Sequence, residues 1–65
     1  MITLNGEQLQ IKENMTLSEL LNEKQFRVER IAVEYNGTIP NKSEFDKIVL
    51  KDGDRIEVVS FMGGG

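Results

Sequence analysis

The sequence contains no cysteine and no histidine. Without cysteine there is no disulfide framework, no thiolate metal site and no set of ligands for a ferredoxin-type cluster. Without histidine, the commonest metal ligand and the usual general base near neutral pH are both missing. Most nucleophile–base arrangements are thereby excluded, and self-contained catalysis would have to rely on carboxylates or lysine. Positive charge is also in deficit: 8 Lys and Arg against 11 Asp and Glu give a formal net charge of −3. A nucleic-acid binder needs a basic face to displace counterions from phosphates, so no nucleic-acid partner is expected. No apolar run approaches the ~18 residues of a membrane span, and Met1-Ile2-Thr3-Leu4 lacks the charged and long apolar regions of a signal peptide. The expectation is a cytoplasmic protein without a membrane partner. With 65 residues, the chain has room for one domain, a monomer when alone, burying roughly 60% of the surface its unfolded form exposes.

What is present is well punctuated. Ile2 and Leu4 alternate with Thr3, Leu9 and Ile11 alternate with Gln10, and Asn5-Gly6 lies between the two runs. Asn tolerates and Gly freely adopts the positive φ of a type I′ turn, so the opening reads as a β-hairpin. A helix follows. Thr16 is a good N-cap and Glu19 completes a capping box, while Met15 and Leu20 are placed to form a hydrophobic staple across its first turn. Leu17, Leu20 and Leu21 share one face at helical spacing, and Ser18, Glu19, Asn22 and Glu23 share the other. The helix is expected to end near Lys24 or Gln25, with Phe26 folding back onto the core.

Ile31-Ala32-Val33-Glu34-Tyr35 reads as a strand followed by an Asn36-Gly37 turn. Thr38-Ile39 is expected as a short edge strand stopped by Pro40, which cannot donate to a ladder. Asn41 to Asp46 reads as a loop with one helical turn that seats Phe45 on the core. Ile48-Val49-Leu50, a turn at Lys51-Asp52-Gly53-Asp54 and a final strand from Arg55 to Ser60 complete the pattern, with Ile56 and Val58 toward the helix and Val59 on the opposite face. One helix with one apolar stripe can bury it only against one face of one sheet. The order predicts an α+β, β-grasp (ubiquitin-like) domain over residues 1–62: a mixed sheet of four or five strands packed on one helix, its first and last strands parallel at the centre. Residues 63–65 are expected to form a flexible glycine tail.

Glycine is costly to order, so Gly63-Gly64-Gly65 directly after a strand contributes nothing to stability. An extended tail without β-carbons can enter a narrow channel and leaves the terminal carbonyl unhindered. Those properties suit a carboxylate that another enzyme must reach. Because a carboxylate is a poor electrophile, acyl chemistry at Gly65 requires conversion to a mixed anhydride, for instance with the α-phosphate of ATP. The chain has no Walker-type loop and no basic cluster for ATP, so the activating enzyme is expected to be a separate protein.

The strand and helix order, the Lys51-Asp52-Gly53-Asp54 turn, the strand Arg55-Ile56-Glu57-Val58-Val59 and the closing Gly63-Gly64-Gly65 together resemble the ThiS family, the sulfur carriers of thiamine biosynthesis. The resemblance covers essentially the whole chain and is most specific from Asp52 to Gly65. It implies a protein co-substrate rather than an enzyme. An E1-like adenylyltransferase, using ATP and magnesium, would adenylate Gly65. Sulfur from a cysteine desulfurase would replace AMP, and thiazole synthase would take it from the resulting thiocarboxylate. The small subunit of molybdopterin synthase shares the fold, the Gly-Gly end and the thiocarboxylate, but tends to be longer. A ubiquitin-like modifier joined to lysines through Gly65 is a further alternative.

Gly63 and Gly64 would form the approach to the partner, and Val59, Phe61 and Met62 are candidate docking residues because aromatic residues and Met are enriched in interface cores. Asp52 and Asp54 supply too few ligands for a calcium loop and read as turn residues, so no metal site is expected. Arg27 and Arg30 bracket a surface turn with only weak support for a phosphate role. Tyr35 shares the phase of Ile31 and Val33 and is expected in the core.

Overall fold

The hairpin turn has the backbone that its two residues favour. In the computed structural model, which describes residues 1–61, Asn5 has φ 50° and Gly6 φ 83°, the left-handed pair that a type I′ turn demands. It joins β1 (Ile2–Leu4) to β2 (Glu7–Leu9), antiparallel with Ile2 opposite Leu9. Ile11 lies beyond the strand but packs against the core.

Helix α1 spans Leu17–Glu23. The Glu19 N–H donates to Thr16 Oγ1 at 3.1 Å and the Thr16 N–H donates to Glu19 Oε1 at 2.9 Å, closing the capping box. Met15 and Leu20, the expected staple, are both buried. At the other end Gln25 takes φ 65°. Its N–H donates to the Asn22 carbonyl at 3.0 Å, and the Phe26 N–H donates to the Leu21 carbonyl at 2.9 Å. This is a Schellman motif with Gln where Gly is usual, and it turns Phe26 back against the core.

Strand β3 (Ile31–Tyr35) pairs antiparallel with β4 (Arg55–Ser60), and β4 pairs parallel with β1. The result is one mixed four-stranded sheet in the order β2-β1-β4-β3, with the first and last strands together at its centre. This is the expected α+β, β-grasp architecture. Alternation along the strands sends Ile2, Leu4, Ile31, Val33, Ile56 and Val58 to the buried face, where they join Leu17, Leu20 and Leu21 of α1. Phe45 is seated on that core by the turn Lys42–Lys47. None of the described helices is long and apolar enough to cross a membrane.

Two segments differ from expectation. Thr38-Ile39 forms no edge strand. Asn36 (φ 49°) and Gly37 (φ 86°) make a tight turn instead, with Tyr35 and Thr38 exchanging backbone hydrogen bonds, and Ile39 is left 74% exposed. Pro40 follows at once, so there is no length over which a ladder could extend. Ile48-Val49-Leu50 adds nothing to the sheet. Val49 makes an isolated bridge to Thr16, with hydrogen bonds from the Leu17 N–H to the Ile48 carbonyl and from the Leu50 N–H to the Met15 carbonyl, both 2.8 Å. This segment secures the entry to the helix.

Asp54 is a turn residue as expected, but it is also the one buried charged side chain among the described residues. Tyr35 Oη donates to it at 2.6 Å, Asn36 Nδ2 at 3.0 Å and the Lys51 N–H at 2.8 Å. Burial by itself would raise its pKa. The hydrogen bonds from Tyr35, Asn36 and Lys51, with the Lys51 charge, outweigh that and hold the carboxyl below its usual 3.8. Tyr35 is pushed up to about 12, by burial first and then by its bond to Asp54 and the charge of that carboxylate.

Leu20→Ala is expected to destabilise the domain by about 2–5 kcal/mol in chemical denaturation, since it empties a site between helix and sheet; a loss below about 0.5 kcal/mol would contradict that placement. A depressed carboxylate pKa in the folded state means that Asp54 stabilises fully above the unfolded value and that this contribution disappears as pH falls through the lower folded value. Denaturation midpoints should therefore drop below about pH 4, and Asp54→Asn should remove this part of the acid dependence while costing about 1–3 kcal/mol at neutral pH. Tyr35, raised in the folded state, contributes fully below its usual 10.0 and loses that contribution as pH rises through about 12.

Candidate functional site: the last strand and its exit

Strand β4 is held from both sides along most of its length. Toward β1, the Thr3 N–H donates to the Asp54 carbonyl and the Asn5 N–H to the Ile56 carbonyl, both at 2.9 Å. Asn5 adds a side-chain clamp, its Oδ1 accepting from the Val58 N–H at 2.7 Å. Toward β3, the register runs from Ile31 opposite Ser60 to Tyr35 opposite Ile56. Asn36 closes that end, its Oδ1 accepting from the Arg55 N–H at 2.8 Å. At the other end the Phe61 N–H donates to the Arg30 carbonyl at 2.8 Å, which fixes the backbone one residue past the strand. The chain therefore leaves the sheet at a fixed point, beside the start of β3.

Two of the expected docking residues are in view. Val59, opposite Ala32 on the face away from the helix, is 61% exposed, and Phe61 is 56% exposed. Burying such side chains in an interface is favourable, and holding them exposed in water is not. They line separate depressions. Val59, Ile39 and Ala32 border a shallow one of about 220 Å³, flanked by Glu34 and Glu57, which sit directly opposite one another across the two strands. Phe61 borders a cleft of about 450 Å³ at the sheet end, with Phe26, Arg27, Arg30 and Ser60. Met62, Gly63, Gly64 and the carboxylate of Gly65 lie outside the described residues.

The acids of the Lys51–Asp54 turn diverge in role. Asp52, at the surface, receives the terminal ammonium of Met1, while Asp54 points inward to Tyr35 and Asn36. No group of three or more potential metal-ligating His, Cys, Asp or Glu occurs among the described residues. Sequence reasoning missed the side chains of Asn5 and Asn36. Each was read only as a turn former, yet each also reaches across to β4. The signal was partial: both precede a Gly, and Asn5 also flanks a strand predicted to be central. It also missed the cleft in which Phe61 joins Arg27 and Arg30, from which it is far removed in sequence.

Comparison with known proteins agrees with this geometry. The model of the ThiS family matches residues 2–65. Sulfur carrier protein ThiS of Bacillus subtilis (strain 168) is 36% identical over 66 aligned positions, covering 100% of each chain. The crystal structure of the thiamine biosynthesis protein ThiS from Geobacter metallireducens superposes with a TM-score of 0.78 at 37% identity, covering 98% of this chain and 97% of that one. A thiazole synthase of Paramagnetospirillum magneticum is 38% identical over 64 residues, 98% of this chain, which spans only 20% of that larger protein. The chain belongs to the ThiS family, the sulfur carriers of thiamine biosynthesis.

Proposed function

We propose that this chain carries sulfur on the carboxylate of Gly65 and is a protein co-substrate, not a catalyst. The observation that supports the reading is the extent of the family match, which covers residues 2–65 and so includes Gly65. A separate E1-like adenylyltransferase, with ATP and magnesium, activates the carboxylate: its oxygen attacks the α-phosphorus and pyrophosphate departs. Sulfur delivered as a persulfide from a cysteine desulfurase then attacks the acyl-adenylate and expels AMP, and a thiol reductant cleaves the resulting acyl disulfide, itself oxidised to a disulfide, to release the thiocarboxylate. Its sulfur is anionic and nucleophilic at neutral pH, yet it stays tethered. Thiazole synthase is the acceptor, and the ThiS-like stretch within a thiazole synthase supports that pairing. The reactions take place in the cytoplasm.

In this reading the folded domain serves to present the tail. Gly63 and Gly64 offer no side chain to a narrow channel, and Val59, Phe61 and Met62 form the contact surface beside it. The exposed, water-facing positions of Val59 and Phe61 support that role, since apolar side chains at the centre of an interface contribute most of its affinity.

Incubated with the adenylyltransferase, the intact chain should support ATP–pyrophosphate exchange, and a chain lacking Gly64 and Gly65 should support none. Exchange at an undiminished rate with the truncated chain would overturn the assignment of Gly65. Val59→Asp and Phe61→Asp should each raise the KM for the chain by about tenfold or more while leaving the denaturation midpoint nearly unchanged. A KM equal to that of the parent would remove these residues from the interface.

A further inference from the structure

At the sheet end where β4 terminates, positive charge is concentrated on an otherwise acidic chain. Lys24, Arg27 and Arg30 fall within one short stretch that also holds Glu23 and Glu29, giving it a positive balance although the chain as a whole carries −3. Arg27 and Arg30 flank the turn Val28–Arg30 and both are exposed. With Phe26 and Phe61 they line the cleft of about 450 Å³ at the strand exit. The ion pair among the described residues is Met1 with Asp52, at the opposite end of β4, so neither guanidinium is ion-paired to a described residue. The backbone carbonyl of Arg30 also holds the Phe61 N–H, which ties this charged turn to the point where the tail departs.

Reach then selects the occupant. From Phe61 to Gly65 there are four residues, a span of at most about 14 Å even when fully extended. An enzyme that handles the Gly65 carboxylate in its own active site must therefore bring its surface close to the residues around Phe61. Two guanidinium groups with no ion pair among the described residues, beside an exposed aromatic ring, suit carboxylate side chains, which arginine engages through paired, parallel hydrogen bonds.

We propose that the Arg27–Arg30 cleft is an electrostatic docking site for an acidic segment of the adenylating partner, which orients the chain so that its tail enters the active site. This rests on the reading of Gly65 given above and adds the chemical character of the partner surface. The arginines are positioning residues. In this role they take no part in the reaction itself, so their removal should act on encounter and binding and leave the chemical step intact.

The test is ATP–pyrophosphate exchange with the E1-like adenylyltransferase, measured against chain concentration at low and high salt. The double variant Arg27→Glu/Arg30→Glu is compared with Arg27→Lys/Arg30→Lys, and circular dichroism checks the fold of each. The charge reversal should raise KM about tenfold or more at low salt with kcat within about twofold, and should flatten the salt dependence seen with the parent chain. The lysine variant should recover most of the low-salt KM. Equal KM and equal salt dependence for parent and reversal would overturn the proposal, as would a fall in kcat alone. If the parent chain supports no exchange, the Gly65 reading itself fails. The cleft is then judged by amide-shift titration of the chain with a hexaglutamate peptide and, separately, with inorganic phosphate. Shifts confined to residues 25–31 and 60–61 with the peptide would support carboxylate recognition. Shifts with phosphate alone, or with neither, would overturn it.

Discussion

The parallel pairing of the first and last strands is the constraint on which the rest of the molecule depends. Thr3 is in register with Arg55 and Leu4 with Ile56, so the two ends of the described domain meet at the centre of the sheet. A contact this remote in sequence closes nearly the whole chain into one loop, and the entropy of that closure must be recovered from what it brings together. It brings together Ile2, Leu4, Ile56 and Val58 as the sheet's contribution to the core beneath α1. The same pairing serves the proposed function. A strand in the interior of a sheet is fixed on both edges, so the chain leaves β4 at a defined place, which is what the proposed presentation of its terminus to another enzyme requires.

Polar side chains reinforce β4 where the backbone ladders run out. Asn5 caps the Val58 N–H and Asn36 caps the Arg55 N–H, each from a turn at the end of a neighbouring strand. Asp54 gathers Tyr35, Asn36 and the Lys51 N–H, so the turn preceding β4 is locked to the turn following β3. A buried carboxylate is tolerable only when its lone pairs are occupied, and here three donors meet that condition. The two ends of β4 thus differ in character. One is a closed network of satisfied polar groups, and the other exposes Val59, Phe61 and two arginines.

Much of this was legible in the sequence because the local signals agreed with one another. Asn5-Gly6 named its turn type, Thr16 and Glu19 named the helix start, and the alternation in Arg55–Ser60 named the buried face. Where the sequence misled, a local signal lacked tertiary support. Thr38-Ile39 has β-branched residues, but a two-residue turn before it and Pro40 after it leave no room for a ladder. Ile48-Val49-Leu50 has strand composition, yet it spends its hydrogen bonds on the helix entry rather than on the sheet. The helix end was legible to within a residue or two at Lys24 or Gln25, although Gln25 occupies the left-handed position where Gly is usual. The role of Asp54 was invisible for a different reason. Its partners Tyr35 and Asn36 lie on another strand and its following turn, and only the completed fold puts them within hydrogen-bond distance. The arginine cleft was hidden likewise, since Phe61 joins Arg27 and Arg30 only through β3–β4 pairing.

The proposed site is one backbone carboxylate, and its chemistry leaves a direct physical record. Mass spectrometry of the intact chain, isolated from sulfur-replete cells that also contain the adenylating and sulfur-transfer enzymes, distinguishes the possibilities without any assay of turnover. The account predicts a population heavier by the difference between one sulfur and one oxygen atom, with fragmentation placing the increment on Gly65. A chain that stays unmodified in such cells, or one recovered as isopeptide adducts to other proteins through Gly65, would contradict it.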